Sequence, residues 1–565
     1  MLRTECPNPQ FNRDGLIILN GKWSFFSDSV PSAHEIEVPF APESKLSGIN
    51  YTGFIKDCEY SRKFTVDAPE ENERLFLRFG AVNYEATVYV NGEYVGVHRG
   101  GYTSFGFDVT DKVRGGENEL RVKVHNDVTE NVPTGKQSAR PESFGCFYTR
   151  VTGIWQPVWL ERTPVNYIES LKFYPDIEGC AVKAELVCEG EGEAEIAVTY
   201  DGRLVGEAKG YVKYRRAFDI KLGEKHLWEI GNGRLYDVTV RYCGDEVKSY
   251  FGLRQAGYDG MKFMLNGKSV FQRLSLDQGY YPDGLYTAPD DESMRRDVEL
   301  GLRLGFNGAR LHQKVFDPRF LYHCDRAGYL VWGEFPSWGV DYENLSALGT
   351  LVGEWTEAVE RDFNHPSIIT WCPLNETWES LKDARKVRDV RFVDAVYAVT
   401  KALDGTRLCV DVSGGFHGHK TDLYDFHDYL DSETLEKHLR ALEENDEIIV
   451  DKVYAPDFAE ESDLRYEKGL PVNVSEYGGV SYATSTDNGW GYRRCGGEKE
   501  YVDCYVKLTS MLLKSKKLSG FCFTQLYDVE QEQNGLYTYD RKPKFGEAAE
   551  KRIRECNLAK AAIED

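Results

Sequence analysis

Trp371-Cys372-Pro373-Leu374-Asn375-Glu376-Thr377-Trp378 is the stretch on which the reading of this chain turns. It follows Arg361-Asp362-Phe363-Asn364-His365-Pro366-Ser367-Ile368-Ile369-Thr370. The spacing predicts a short helix, a turn at Asn364-His365-Pro366, and a buried strand over residues 368–374. That strand carries an Asn–Glu pair out at its C-terminal end. A carboxylate delivered from an apolar strand into a tryptophan-lined mouth is costly unless something uses it. Cys372 reads as core packing.

The same strand–helix rhythm extends on both sides. Eight apolar strands are expected at residues 270–276, 307–311, 329–334, 368–374, 408–412, 423–426, 472–475 and 520–524. Amphipathic helices are expected between most of them, at 292–304, 318–326, 352–363, 388–403 and 501–514; the helix after the sixth strand has the weakest signal. Eight strand–helix units over residues 257–565 point to a (β/α)8 TIM barrel.

Upstream the period falls to two. Residues 1–162 read as short alternating strands, with Asn91-Gly92 as a type I′ hairpin turn between Tyr89-Val90 and Tyr94-Val95. A β-sandwich of jelly-roll type fits. Residues 163–256 repeat the pattern on a smaller scale, turned at Asp201-Gly202, as an immunoglobulin-like β-sandwich would be. The expected protein is thus multi-domain.

The chain has 565 residues, 41% hydrophobic and 13% aromatic, enough for several packed cores. Its net charge of −23, with no dense Lys/Arg run, argues against a nucleic-acid partner. No membrane partner is expected either, since no apolar run reaches 18 residues. The 13 cysteines are scattered without CxxC spacing, so free thiols are expected, and with no apolar leader at Met1 the expected location is cytoplasmic. No metal-ligand spacing emerges and no cofactor is expected.

In a barrel, the residues just after each strand gather at one face. Asp277 follows the first strand. Arg310 and His312 follow the second. Glu334 ends the third, with Trp338 beyond it. Asn375 and Glu376 end the fourth. His427, Asp428 and Tyr429 follow the sixth, Glu476 the seventh, and Gln525 and Asp528 the eighth. Strands four and seven face each other across the mouth, so Glu376 and Glu476 can flank one glycosidic bond. A retaining glycosidase needs two carboxyl groups about 5–5.5 Å apart, one as acid/base and one as nucleophile.

Asn364-His365-Pro366-Ser367-Ile368-Ile369, followed by Trp371 and Asn375-Glu376, resembles the acid/base signature of glycoside hydrolase family 2, the family of β-galactosidases, β-glucuronidases and β-mannosidases. Ser475-Glu476-Tyr477-Gly478 resembles its nucleophile signature. Gly153–Glu161, Phe251–Arg254, Phe263–Lys268 and Gly328–Glu334 resemble further segments of the family. The resemblance implies Glu376 as acid/base, Glu476 as nucleophile, Asn375 on the 2-hydroxyl and Tyr429 orienting the nucleophile. It also implies a carbohydrate substrate and a possible homo-oligomer. The chain departs at Leu311-His312-Gln313-Lys314, where many members have Ser-His-Tyr-Pro, and at Gly333, where many have Asp. Between Glu476 and Arg493 it lacks the Asn-x-Lys that family glucuronidases use to hold the sugar carboxylate; Lys314, Arg493 and Arg494 are other basic side chains for that purpose.

Blander readings stand beside these. Arg310 fits an ion pair with Glu334 as well as a sugar contact, and His312 and His427 fit satisfied rim histidines. Asp277 fits a sugar-hydroxyl ligand beside the loop Gln278–Gly284. Trp338 and Trp378 fit sugar stacking, and Trp490 either stacking or packing. Glu443-Glu444-Asn445-Asp446-Glu447 reads as a solvated face. The expected function is a retaining exo-glycosidase releasing a terminal β-linked sugar, with galactose first among glycones. Glucuronic or galacturonic acid, arabinose and galactofuranose are alternatives. So are a transglycosidase and a non-catalytic carbohydrate-binding protein.

Overall fold

A computed structural model describes residues 3–377, 389–414, 417–449, 466–482 and 489–564. Two antiparallel sheets come first. The six-stranded one runs Glu35–Val38, Gly21–Phe26, Asp57–Val66, Gly116–His125, Glu85–Val90, Glu93–Arg99 in spatial order. The four-stranded one runs Ile17–Ile18, Val158–Pro164, Glu73–Phe79, Phe105–Asp108. Alternate residues such as Trp23, Val88, Val122, Leu77 and Leu160 meet in one core between the sheets. Asn91 and Gly92 both take positive φ, at 52° and 81°, as the hairpin between Glu85–Val90 and Glu93–Arg99 requires.

Next comes a five-stranded antiparallel assembly, Ile168–Asp176, Ala181–Tyr200, Arg203–Lys221, Tyr236–Tyr242 and Asp245–Phe251. The two long strands form one hairpin whose register shifts between Val187 and Glu191. The extra residues let it bend, so one hairpin serves two layers of an immunoglobulin-like sandwich.

Eight of the remaining strands form a curled parallel sheet. In chain order they are Gln272–Asp277, Gly308–Leu311, Leu330–Glu334, Ile368–Cys372, Leu408–Cys409, Tyr424–Asp428, Val472–Gly478 and Leu518–Thr524, called barrel strands 1 to 8 below. Their spatial order is 5-4-3-2-1-8-7-6, all parallel. Strands 5 and 6 share no ladder. Single contacts bridge that seam: Asp422 N–H to the Cys409 carbonyl at 3.0 Å, and Ser413 Oγ to Asp425 Oδ2 at 2.8 Å.

Helices Asp291–Arg303, Pro318–Ala327, Leu348–Asp362, Val390–Leu403, Ser432–Asn445, Glu498–Leu513 and Glu547–Asn557 pack outside. Asp290, Asp317, Asp389 and Asp431 cap four of their N-termini through side-chain oxygens. The weak helix after strand 6 is Ser432–Asn445. The acidic run at its end is only partly solvated: Glu443 accepts from Lys516 N–H at 2.9 Å, and Asp446 pairs with Lys517. None of the 13 cysteines is in a disulfide. No described helix is long and apolar enough to cross a membrane.

The Asn364-His365-Pro366 turn lies at the opposite end of strand 4 from Glu376 and joins domains. His365 is buried, its Nδ1 2.5 Å from Asp325 Oδ2, which also accepts from Tyr250 Oη of the immunoglobulin-like sandwich at 2.8 Å. Arg254 donates to the carbonyls of Pro366 and Ile368 at 2.9 and 2.7 Å. The turn therefore fixes the strand that ends at the site.

Candidate active site

Arg310, at the end of strand 2, is wholly buried and organises the mouth. Its Nε donates to Glu334 Oε2 at 2.5 Å, Nη1 to Glu476 Oε1 at 2.6 Å, and Nη2 to Asn375 Oδ1 at 2.6 Å. The planar fork thus ties strands 3, 7 and 4 together. The Asn375 amide is oriented in consequence. Its Oδ1 is taken, while its buried Nδ2 donor has no partner among the described residues.

Glu376 follows strand 4 at φ 42°, a left-handed conformation uncommon for a side chain of this kind. Its N–H is held by the Ser413 carbonyl at 2.9 Å. Strained backbone at a strand end aims the carboxyl inward. Glu376 Oε1 lies 2.6 Å from His427 Nδ1, and His427 Nε2 lies 3.4 Å from Glu476 Oε1. The three side chains each present an atom within 4.8 Å of the others. They are the donor set among the described residues that could hold a cation. Burial opposes charge on His427, but Glu476 and Glu376 outweigh it and raise its pKa.

Glu476 is held from both sides. Besides Arg310, its Oε2 accepts a short hydrogen bond from Tyr429 Oη, which also lies 3.0 Å from Thr524 Oγ1. Burial pushes the Glu476 carboxyl up, yet the charges around it, His427 and Arg310 foremost, bring it down to about 2. A group held low in the folded state adds stability that is full above its unfolded value and is lost as the pH falls through the folded one. Between pH 4.5 and about 2 the wild type should therefore lose more stability than Glu476→Gln, by up to about 3 kcal/mol. Urea unfolding of both proteins across that window measures the difference. Parallel curves would rule out an ionised, charge-held Glu476.

The other predicted positions divide. His312 is buried with Nδ1 2.9 Å from Glu334 Oε1, out of line for a hydrogen bond. Burial, with Lys136 and Arg310 nearby, lowers its pKa well below the usual range and keeps it neutral. Trp338 donates from Nε1 to the Asn375 carbonyl at 3.0 Å and tilts against Phe147, centroids 5.4 Å apart. Asp277 is buried, accepting from Tyr527 Oη and from Gly279 N–H at 2.9 Å; burial and Asp297 raise its pKa to about 6. Gln525 Oε1 accepts from Gln278 Nε2 at 2.9 Å, and its Nε2 has no partner among the described residues. Asp528 is bonded to Lys544 at 2.6 Å. Lys314 is spent on the carbonyls of Gly279 and Tyr286 at 2.6 and 2.8 Å, which takes it out of contention for a sugar acid. Arg493 and Arg494 are exposed on a two-residue strand. Trp378 lies outside the described residues.

Three contributors escape the sequence reading. Ser413 bonds Asp425, Ser475 Oγ at 2.9 Å and His427 Nε2 at 3.2 Å; the strand-end rule applied to strand 5 points to it. Tyr492 stacks on Tyr429 with centroids 3.6 Å apart and planes 8° off parallel, from a loop without periodic signal. Lys136 comes from the N-terminal sandwich, and nothing in its own stretch announces the barrel.

Known proteins bear on this geometry. The family model "Glycosyl hydrolases family 2, sugar binding domain" matches residues 44–164, and "Glycosyl hydrolases family 2, TIM barrel domain" matches residues 259–461. A β-glucuronidase of Streptococcus agalactiae is 26% identical over 405 residues, 63% of this chain and 66% of that protein. A β-galactosidase of Thermoanaerobacter pseudethanolicus is 29% identical over 351 residues, 56% of this chain and 44% of that protein. The chain spans between 40% and 66% of the length of three curated relatives that it matches. The solved structure of an uncultured Clostridium sp. β-glucuronidase shares the fold, with TM-score 0.78, 20% identity, and 97% and 99% of the two chains covered. With both family models matched in order and the strand-end carboxylates facing one another across the barrel, the chain belongs to glycoside hydrolase family 2.

Proposed function

We propose that the protein is a retaining exo-glycosidase acting on a terminal β-linked sugar. The observation that carries this is the separation of Glu376 and Glu476, whose nearest donor atoms lie within 4.8 Å. Inverting enzymes keep their carboxyl groups about 6.5–9.5 Å apart to seat a water, and retaining ones about 5–5.5 Å. Glu476, ionised and aimed by Arg310 and Tyr429, attacks the anomeric carbon. Glu376, paired with His427, delivers the proton to the leaving oxygen and then activates water on the glycosyl-enzyme. The free Nδ2 of Asn375 is a donor for the sugar 2-oxygen, where bonds tighten as oxocarbenium character develops. Relatives named β-galactosidase and β-glucuronidase support hexopyranosides as the substrate class. Thirteen cysteines without a disulfide favour a reducing compartment.

Glu376→Ala tests the proton-delivery role. Hydrolysis of glycosides with poor leaving groups should fall by about 10²–10³-fold, and glycosyl-enzyme formation from a dinitrophenyl glycoside should stay near wild type. Stopped-flow bursts with a leaving-group series measure both. An equal loss across the series would remove Glu376 from that role, and a first-formed product of inverted configuration by NMR would overturn the mechanism.

A further inference from the structure

Lys136 sits in a loop of the N-terminal sandwich that is pinned to the barrel mouth. Thr134 and Gly135 donate backbone N–H groups to the Trp338 carbonyl at 2.7 and 3.2 Å. Gly135 takes φ +58°, and a Cβ there would lie 2.4 Å from the Gln313 carbonyl oxygen, so only glycine lets the loop come this close. The Lys136 carbonyl accepts from Tyr148 N–H at 2.8 Å, which closes the loop.

The side chain is 94% buried, at 6% exposure, with Nζ 5.7 Å from the Trp338 centroid and 5.9 Å from that of Tyr148. Its ammonium makes no hydrogen bond or ion pair among the described residues. Burial would lower its pKa, but Glu532 first, then Cys146, Glu476 and Glu376, outweigh this and keep it protonated. An ammonium carries three donors, and one that has no protein acceptor beside the barrel mouth can give them to a ligand. Glu532 is also buried; Tyr148 Oη donates to its Oε2 and Asn534 Nδ2 to its Oε1 at 3.0 Å. Each oxygen keeps a lone pair for a further donor.

We propose that Lys136 is a glycone-binding residue: it donates to a hydroxyl of a neutral sugar, whose proton or that of the adjacent hydroxyl is accepted by Glu532. The inference rests on the retaining-glycosidase reading and deepens it by naming the substrate class. A hydroxyl can accept and donate at once, which suits an ammonium and a carboxylate that both lie against Tyr148. A sugar carboxylate in the same place would meet Glu532 with Lys136 alone beside it, because the Arg310 fork is already taken up by Glu334, Glu476 and Asn375.

Lys136→Met keeps the chain length and the apolar contacts with Trp338 and Tyr148, so melting should stay near wild type. On the preferred neutral aryl glycoside its kcat/KM should fall by about 10–100-fold, the range of a hydrogen bond to a charged group. On a series of monodeoxy aryl glycosides the loss should shrink to within about twofold for the one lacking the contacted hydroxyl, which is what deleting one partner of a pair leaves when the other is already gone. Glu532→Gln is the second variant, with its cost vanishing on the same or the adjacent deoxy sugar. A uniform loss across the series, or no loss, overturns the proposal, because a merely structural lysine would not discriminate between hydroxyls. A wild type that prefers hexuronides, with that preference removed by Lys136→Met, overturns the neutral ligand. If the wild type hydrolyses no aryl glycoside, the underlying reading of the site has failed. If it is active, Glu476→Gln is inactive, and Lys136→Met behaves as wild type, only this inference has failed.

Discussion

Glu476→Gln is expected to lower kcat on activated aryl β-glycosides by about 10⁴–10⁶-fold, the scale seen when the nucleophile of a cooperating catalytic group is removed. The substitution keeps the shape and an oxygen to accept from Arg310, while its NH2 can donate to the Tyr429 oxygen, so the loss is chiefly chemical. An amide oxygen does not carry the full negative charge that attacks the anomeric carbon. Glu476→Gly makes the point stereochemically. With the carboxylate gone, azide can enter the space and attack from that face, giving a glycosyl azide of inverted configuration. In Glu376→Ala azide instead attacks the glycosyl-enzyme from the opposite face, giving retained configuration. NMR of the two azides assigns the two carboxylates without reference to any rate. Exchanged configurations would swap the roles, and a Glu476→Gln enzyme at near wild-type turnover would end the reading of the site.

Arg310→Met should cost about 3–5 kcal/mol of stability and cut activity by about 10³-fold or more. The guanidinium is wholly buried and neutralises two carboxylates, Glu334 and Glu476, while bonding the Asn375 amide. Removing it leaves two buried negative charges facing each other, and the folded protein answers by protonating one of them. If Glu476 takes the proton, the nucleophile is lost. Arg310→Lys should not restore activity, because one ammonium on a flexible stem cannot meet three acceptors in a fixed plane. Urea unfolding and kcat/KM, measured on both variants, test this. A variant within 1 kcal/mol of wild type would show that the three-way junction is dispensable.

Much of the barrel was open to a reader of the sequence. Strand 4 was expected at 368–374 and runs Ile368–Cys372; strand 7 was expected at 472–475 and runs Val472–Gly478. Apolar runs of this length, separated by amphipathic helices, leave few ways to bury both faces of a sheet. Residues at strand ends, Arg310, Asn375, Glu376, His427, Tyr429 and Glu476, could be named because a parallel barrel gathers one end of every strand.

Contacts with no local signal could not be named. The His365 of the conspicuous Asn-His-Pro turn sits at the far end of the strand, against Asp325 and Tyr250, holding two domains in register. Lys314 looked like a free cation beside the mouth, but its neighbours on the chain gave no hint of the Gly279 and Tyr286 carbonyls that take its protons. Lys136 is the extreme case. Its role depends on how the N-terminal sandwich docks on the barrel, and Gly135 permits that docking through one backbone approach.

The sequence by itself determined the layers, the order of the strands and the two carboxylates at opposite sides of the mouth, because hydrophobic periodicity and strand-end position are local properties of the chain. Only the tertiary structure decided that Arg310 bonds three strands at once, that His427 stands between Glu376 and Glu476, and that a lysine from another domain lies against Trp338 and Tyr148. Those are distances between residues far apart in the chain, and charge interactions in a buried site are set by such distances and not by the pattern of residues that surrounds each group.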